Sequence, residues 1–112
     1  MTAPQQPAFR ALADPTRREI LQRLTHRNMT IGEVAAGFEM TRAAVKKHLT
    51  VLSDGGLITM TPKGREVVTQ VDPMGFAPIR DWLSFFDHFW DNRLDALKTA
   101  IEQENEHDAD DQ

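Results

Sequence analysis

The chain has 112 residues, no cysteine and a formal net charge of −4. That length fits one domain with a modest core of its own. The absence of cysteine excludes disulfides, thiolate zinc sites and thiol chemistry.

The stretch 1–7 is polar and Pro-rich, without the basic and apolar segments of a secretory signal, and is expected to be flexible. No apolar run approaches the roughly 20 residues that span a bilayer, so a cytoplasmic protein with no membrane partner is expected. The net charge hides a division. Residues 1–70 carry ten Lys/Arg against six Asp/Glu, a net of +4, whereas residues 71–112 carry three against eleven, a net of −8. The first part suits a polyanion; the second suits solvent or a protein partner.

A first helix is expected over Pro7–Ala13, with Phe9 and Leu12 on one face. Asp14-Pro15 is a helix start, Asp at the N-cap and Pro where its missing N–H costs nothing. The segment Thr16–Arg27 follows, with Ile20, Leu21 and Leu24 as its apolar stripe. Arg17, Arg18 and Arg23 lie off that stripe, either as a solvated face or as phosphate contacts. Asn28-Met29 breaks the pattern. Thr30-x-x-Glu33 is a capping box that opens a short third helix ending near Gly37–Glu39.

Thr41 opens a fourth helix, with Val45, Leu49 and Leu52 inward and Gly55-Gly56 as its stop. Its opposite face carries Arg42, Ala43, Lys46, Lys47 and Thr50. Two strands follow, Leu57–Thr61 and Glu66–Val71, joined by the turn Pro62-Lys63-Gly64-Arg65. After Asp72-Pro73, one long helix is expected over about 78–103. Its stripe holds Ile79, Leu83, Phe86, Trp90, Leu94, Leu97 and Ile101, widened by Trp82, Phe85 and Phe89. The domain is expected over 8–103, followed by an acidic flexible tail, 104–112.

The fold class is therefore mainly α with a β-hairpin wing: a winged helix-turn-helix with a long C-terminal dimerisation helix. Small and donor-bearing residues at the start of the fourth helix suit entry into a major groove. Arg42 can contact guanine bidentately, Lys46 and Lys47 can reach base or phosphate, and Thr41 and Thr50 offer hydroxyls. Ala43 lets the backbone approach, and Lys63 and Arg65 at the hairpin tip can hold flanking DNA. His48 is open between a structural role against the third helix and a phosphate contact. The aromatic arc is too wide for an isolated helix. With Phe9 and Leu12, the residues Ile79, Trp82, Leu83, Phe86, Phe89, Trp90, Leu94 and Leu97 are the expected homodimer interface. No catalytic constellation is present, so an enzyme is not expected.

Residues 8–58 and the later "FFDHFWDNRLDALK" resemble the ArsR/SmtB family of bacterial winged helix-turn-helix repressors. The most telling pieces are "ALADPTRREIL" and "TIGEVAAGFEMTRAAVKKHLTVLSDGGLI". The resemblance implies a homodimer built on the first and last helices, two recognition helices on double-stranded DNA, and repression by promoter occlusion. Metal-sensing branches of that family carry a Cys pair in the third helix or Asp/His pairs in the last. Here the third helix has no Cys, and Asp87, His88 and Asp91 fall short of the about four ligands that zinc needs. The chain thus resembles the metal-independent, autorepressor-like branch, with no metal or other cofactor. That branch often has an Arg-rich wing with Tyr; this wing has only Lys63 and Arg65. Two alternatives share the fold: a sensor answering to an unidentified small-molecule, metal or protein effector, and a winged-helix protein-interaction module.

Overall fold

The computed structural model describes residues 6–110. The expectations for residues 1–5 and 111–112 lie outside the described residues. The order is α1 (Gln6–Leu12), α2 (Pro15–Leu24), β1 (Met29–Thr30), α3 (Ile31–Phe38), α4 (Arg42–Asp54), β2 (Ile58–Lys63), β3 (Glu66–Val71), a 3-10 turn (Pro73–Phe76), α5 (Ala77–Ser84) and α6 (Asp87–Asp110). The chain divides into two compact units between Arg80 and Asp81. No helix among the described residues is long and apolar enough to cross a membrane.

In the first unit each helix start is fixed by a side chain that satisfies otherwise orphaned backbone donors. The Asp14 carboxylate accepts from the N–H of Thr16 at 2.7 Å and of Arg17 at 3.2 Å, which begins α2. The expected capping box forms: Thr30 Oγ1 accepts from Glu33 N–H at 3.1 Å, and Glu33 Oε1 accepts from Thr30 N–H at 3.0 Å. Thr41 Oγ1 accepts from Ala44 N–H at 3.1 Å and begins α4. The apolar stripes then meet. Ile20, Leu21 and Leu24 of α2, Val34 and Ala35 of α3, and Val45, Leu49 and Leu52 of α4 are buried together with Ala8 and Ala11 of α1.

α4 ends in a Schellman arrangement. Leu57 N–H reaches Leu52 C=O at 3.0 Å, Gly56 N–H reaches Ser53 C=O at 2.9 Å, and Gly56 takes φ +77°. The 3-10 turn sits against this cap so closely that a Cβ on Gly75 would overlap the Gly56 carbonyl.

The sheet differs from the expected hairpin in two ways. It has three antiparallel strands in the order β1-β3-β2. β1 arises where a break was expected: Met29 pairs with Thr69 and Thr30 with Val68. The buried Thr69 hydroxyl donates to Met29 C=O at 2.8 Å, so the one buried polar side chain among the described residues is satisfied. β2 runs on through Pro62 to Lys63, which leaves Gly64-Arg65 as a two-residue turn with Gly64 at φ +65°. Pro62 is tolerated because β2 is an edge strand. Lys63 is accordingly the last strand residue, opposite Glu66.

The second unit corrects the single helix expected over 78–103. The helical path is interrupted at Phe85-Phe86, and α6 continues to Asp110. The Ser84 hydroxyl donates to Asp81 C=O at 2.6 Å, while the N–H groups of Phe85 and Phe86 reach back only three residues, to Trp82 and Leu83. The last turn is thereby tightened and α5 stops. Trp82 and Phe86 meet edge to face with centroids 5.1 Å apart, as do Phe89 and Trp90.

Candidate nucleic-acid interface

α3, the turn Glu39-Met40-Thr41 and α4 form the helix-turn-helix. Glu39 closes α3 in the left-handed region, at φ 54° and ψ 43°, which reverses the chain without a glycine. Met40 N–H then returns to Ala35 C=O at 3.1 Å, and Thr41 caps the next helix. With Val45, Leu49 and Leu52 fully buried, the rotation of α4 is fixed. Arg42, Ala43, Lys46, Lys47 and Thr50 are all exposed on its other side.

A groove of about 250 Å³ joins this face to the wing. It is lined by Thr30, Ile31 and Gly32, by Arg42, Ala43 and Lys46, and by Arg65, Glu66 and Val67. Arg42, Lys46 and Arg65 therefore converge from two elements. A second concavity of about 490 Å³ runs along α4 itself, over Ala43, Lys46, Lys47, Thr50 and Val51. Lys63 is exposed on the wing and lines neither hollow. Thr41 spends a lone pair on its own helix and keeps its proton free to donate. Glu66, Val67, Thr30, Ile31 and Gly32 are lining residues of the groove beyond those expected. The first two lie next to the wing tip in sequence; Gly32 sits two residues after the capping threonine.

The cationic residues fall into two groups. Arg17 donates from Nε to Ala11 C=O at 2.7 Å and from Nη2 to Arg10 C=O at 2.9 Å. Arg18 donates to Leu12 C=O at 2.7 Å. Arg23 donates to Gly37 C=O at 2.9 Å, pairs with Glu19 at 3.1 Å and lies 4.1 Å over the Phe38 ring. These three close the end of α1 and bind α2 to α3, so the structure uses them as ties. In contrast Arg42, Lys46, Lys47, Lys63 and Arg65 have no hydrogen-bond or ion-pair partner among the described residues.

Two carboxyls titrate below their ordinary range. For Asp14 the Arg17 backbone N–H is the main cause, joined by the Thr16 N–H and the charges of Arg17 and His48, against partial desolvation. For Glu33 the Thr30 backbone N–H is the main cause, helped by Arg27, whose guanidinium donates to it at 2.7 Å. His48 is half-buried on α4.

The expected dimer residues divide as well. Leu12 and Ile79 are half-buried and pack on the chain's own core, and Phe9 and Phe86 are half-buried. Trp82, Leu83, Phe89, Trp90, Leu94 and Leu97 are exposed, and Phe85 and Ile101 join them.

The arrangement is that of a winged helix-turn-helix protein. A family model described as a helix-turn-helix domain matches residues 12–61. The chain is 39% identical over 99 residues to the HTH-type transcriptional regulator Rv2034 of Mycobacterium tuberculosis, covering 88% of this chain and 90% of that protein. It is 30% identical to the transcriptional repressor SdpR of Bacillus subtilis, over 77% of this chain and 96% of that one. The solved structure of an ArsR-like transcriptional regulator from Rhodococcus sp. RHA1 superposes with a TM-score of 0.70 at 31% identity, over 92% of this chain and 98% of that chain. The chain belongs to the ArsR family of transcriptional regulators. It is a DNA-binding regulator and not an enzyme.

Proposed function

We propose that the protein is a homodimeric repressor, acting in the cytoplasm on a short, roughly palindromic operator, and that it belongs to the metal-independent, autorepressor-like branch. The observation that supports this reading is the cationic outer face of α4 and the wing, which the fold holds in place and does not use. Arg42, Lys46 and Lys47 carry the readout, with Thr41, Ala43 and Thr50 in support. Lys63 and Arg65 hold the flanking phosphates or minor groove. A protein must neutralise phosphates to bind DNA, and free cations beside a helix of fixed rotation meet that need.

The dimer rests on the second unit. Trp90 is 49% exposed, Leu94 61% and Phe85 84%. Burying one such side chain is worth about 1.5–3 kcal/mol, so a row of them calls for a second copy. Two copies place two α4 helices about one DNA turn, or a multiple of it, apart.

The test is binding to the chain's own upstream promoter DNA at about 50 and about 200 mM salt, with random duplex as competitor. Specific, salt-sensitive retention is expected. An Arg42/Lys46/Lys47 triple alanine variant should lose on the order of 10²–10³-fold or more in operator affinity and keep its melting temperature. Retention by that variant overturns the assignment of the reading helix.

A further inference from the structure

α3 contains two glycines that face arginines of other helices, and the two pairs differ. At Gly37 the arginine is bound: Arg23 donates to the Gly37 carbonyl and is held as well by Glu19 and the Phe38 ring. At Gly32 the arginine is seated without being bound. A Cβ on Gly32 would stand 2.7 Å from Arg42 Nη2, 3.2 Å from Cζ and 3.7 Å from Nε. Outside α3 itself, the three atoms nearest to that position all belong to one guanidinium.

Gly32 is not there for its backbone. The positive-φ glycines among the described residues are Gly56 and Gly64. In the first turn of a helix, glycine is a poorer choice than alanine, because it gives up more conformational freedom on folding. What it supplies at this position is a flat floor for the Arg42 guanidinium at the mouth of the groove shared with Lys46 and Arg65.

We propose that Gly32 is a positioning residue for DNA recognition: by leaving room over the first turn of α3, it sets where Arg42 presents its planar donor fork. Base choice then depends on α3 as well as on α4. This inference rests on the operator reading above and names a determinant of its specificity. A bidentate contact to a guanine needs both N–H groups in register with O6 and N7, so a shift of the fork by the width of a methyl group breaks one of the two bonds. A phosphate contact tolerates the same shift, because it reads charge more than angle.

The experiment is a selection from a randomised duplex library with the full-length wild type, Gly32→Ala, Arg42→Ala and the double variant, followed by affinities on the wild-type site and on random duplex. Gly32→Ala should fold with a melting temperature equal to or above the wild type. It should bind random duplex with unchanged affinity and salt slope, and bind the selected operator about tenfold more weakly, with relaxed preference at one base pair per half-site. In the Arg42→Ala background the same change should have no effect on operator affinity. The proposal is overturned if Gly32→Ala selects the wild-type site with wild-type affinity, or if its loss persists undiminished without Arg42. A wild type that selects no sequence overturns the operator reading itself, and this inference with it.

Discussion

α2 and α4 are built alike and used differently. Each is an amphipathic helix capped by an oxygen side chain, with three cationic residues outside its buried stripe: Arg17, Arg18 and Arg23 on α2, Arg42, Lys46 and Lys47 on α4. On α2 every guanidinium is spent on a carbonyl, at 2.7–2.9 Å from Arg10, Ala11, Leu12 or Gly37. On α4 none is spent among the described residues. A basic helix is therefore not a binding face by virtue of its charge. The test is whether the fold already holds that charge, because a guanidinium drawn onto carbonyls at a helix end has fewer donors left for a phosphate and is oriented by the fold.

Substitutions should separate the two helices cleanly. The largest stability effect is expected at Arg17, whose side chain is only 14% exposed and carries two hydrogen bonds from a charged donor. Arg17→Ala should cost about 2–3 kcal/mol in urea unfolding and leave operator preference unchanged. Next is Arg42→Ala, with the opposite profile: about 1–3 kcal/mol lost on the cognate site, preference relaxed at one base pair, and unfolding unchanged. A drop in DNA affinity for Arg17→Ala without any loss of stability would break the distinction, since it would place α2 on the DNA.

Arg23 is the intermediate case and sharpens the comparison. It belongs to α2, yet it is more exposed than Arg17, and its bonds run to α3, the helix that positions α4. Arg23→Ala should cost about 1 kcal/mol of stability. It should also weaken binding to operator and random DNA by the same small factor, because it loosens the support and removes no base contact. A change of base preference in this variant would show instead that Arg23 reaches DNA.

The parts of the molecule legible in the sequence are those set by chemistry between near neighbours. Thr30-x-x-Glu33, Asp14-Pro15 and Thr41 fix helix starts within three residues, so α2, α3 and α4 and the outward face of Arg42, Lys46 and Lys47 could be read directly. β1 could not be read. Two residues carry no period, and Met29 finds its partner Thr69 forty positions away. The interruption at Phe85-Phe86 was hidden because the apolar spacing runs across it undisturbed; a side-chain bond from Ser84 and two short backbone bonds decide it. The role of the α2 arginines was hidden for a related reason. Their acceptors are backbone carbonyls at helix ends, which every sequence has and none displays. Gly32 escaped as well, since its value lies in the side chain above it.

Acid should set α2 and α3 apart from α4. Asp14 and Glu33 start α2 and α3 with carboxylates, whereas α4 is started by Thr41, which does not titrate in this range. Both carboxyls have folded values below their ordinary 3.8 and 4.5. The unfolded chain therefore takes up these protons first as pH falls. Their contribution to stability is complete above the ordinary values and shrinks as pH drops through them. It is gone once pH passes below the lowered folded values. The wild-type melting temperature should accordingly fall between about pH 5 and about pH 3. An Asp14→Asn/Glu33→Gln variant keeps side-chain oxygens at both positions and should start lower but fall less steeply over the same interval. An equally steep fall in the variant would move the acid sensitivity away from the α2 and α3 starts and onto other carboxylates of the chain.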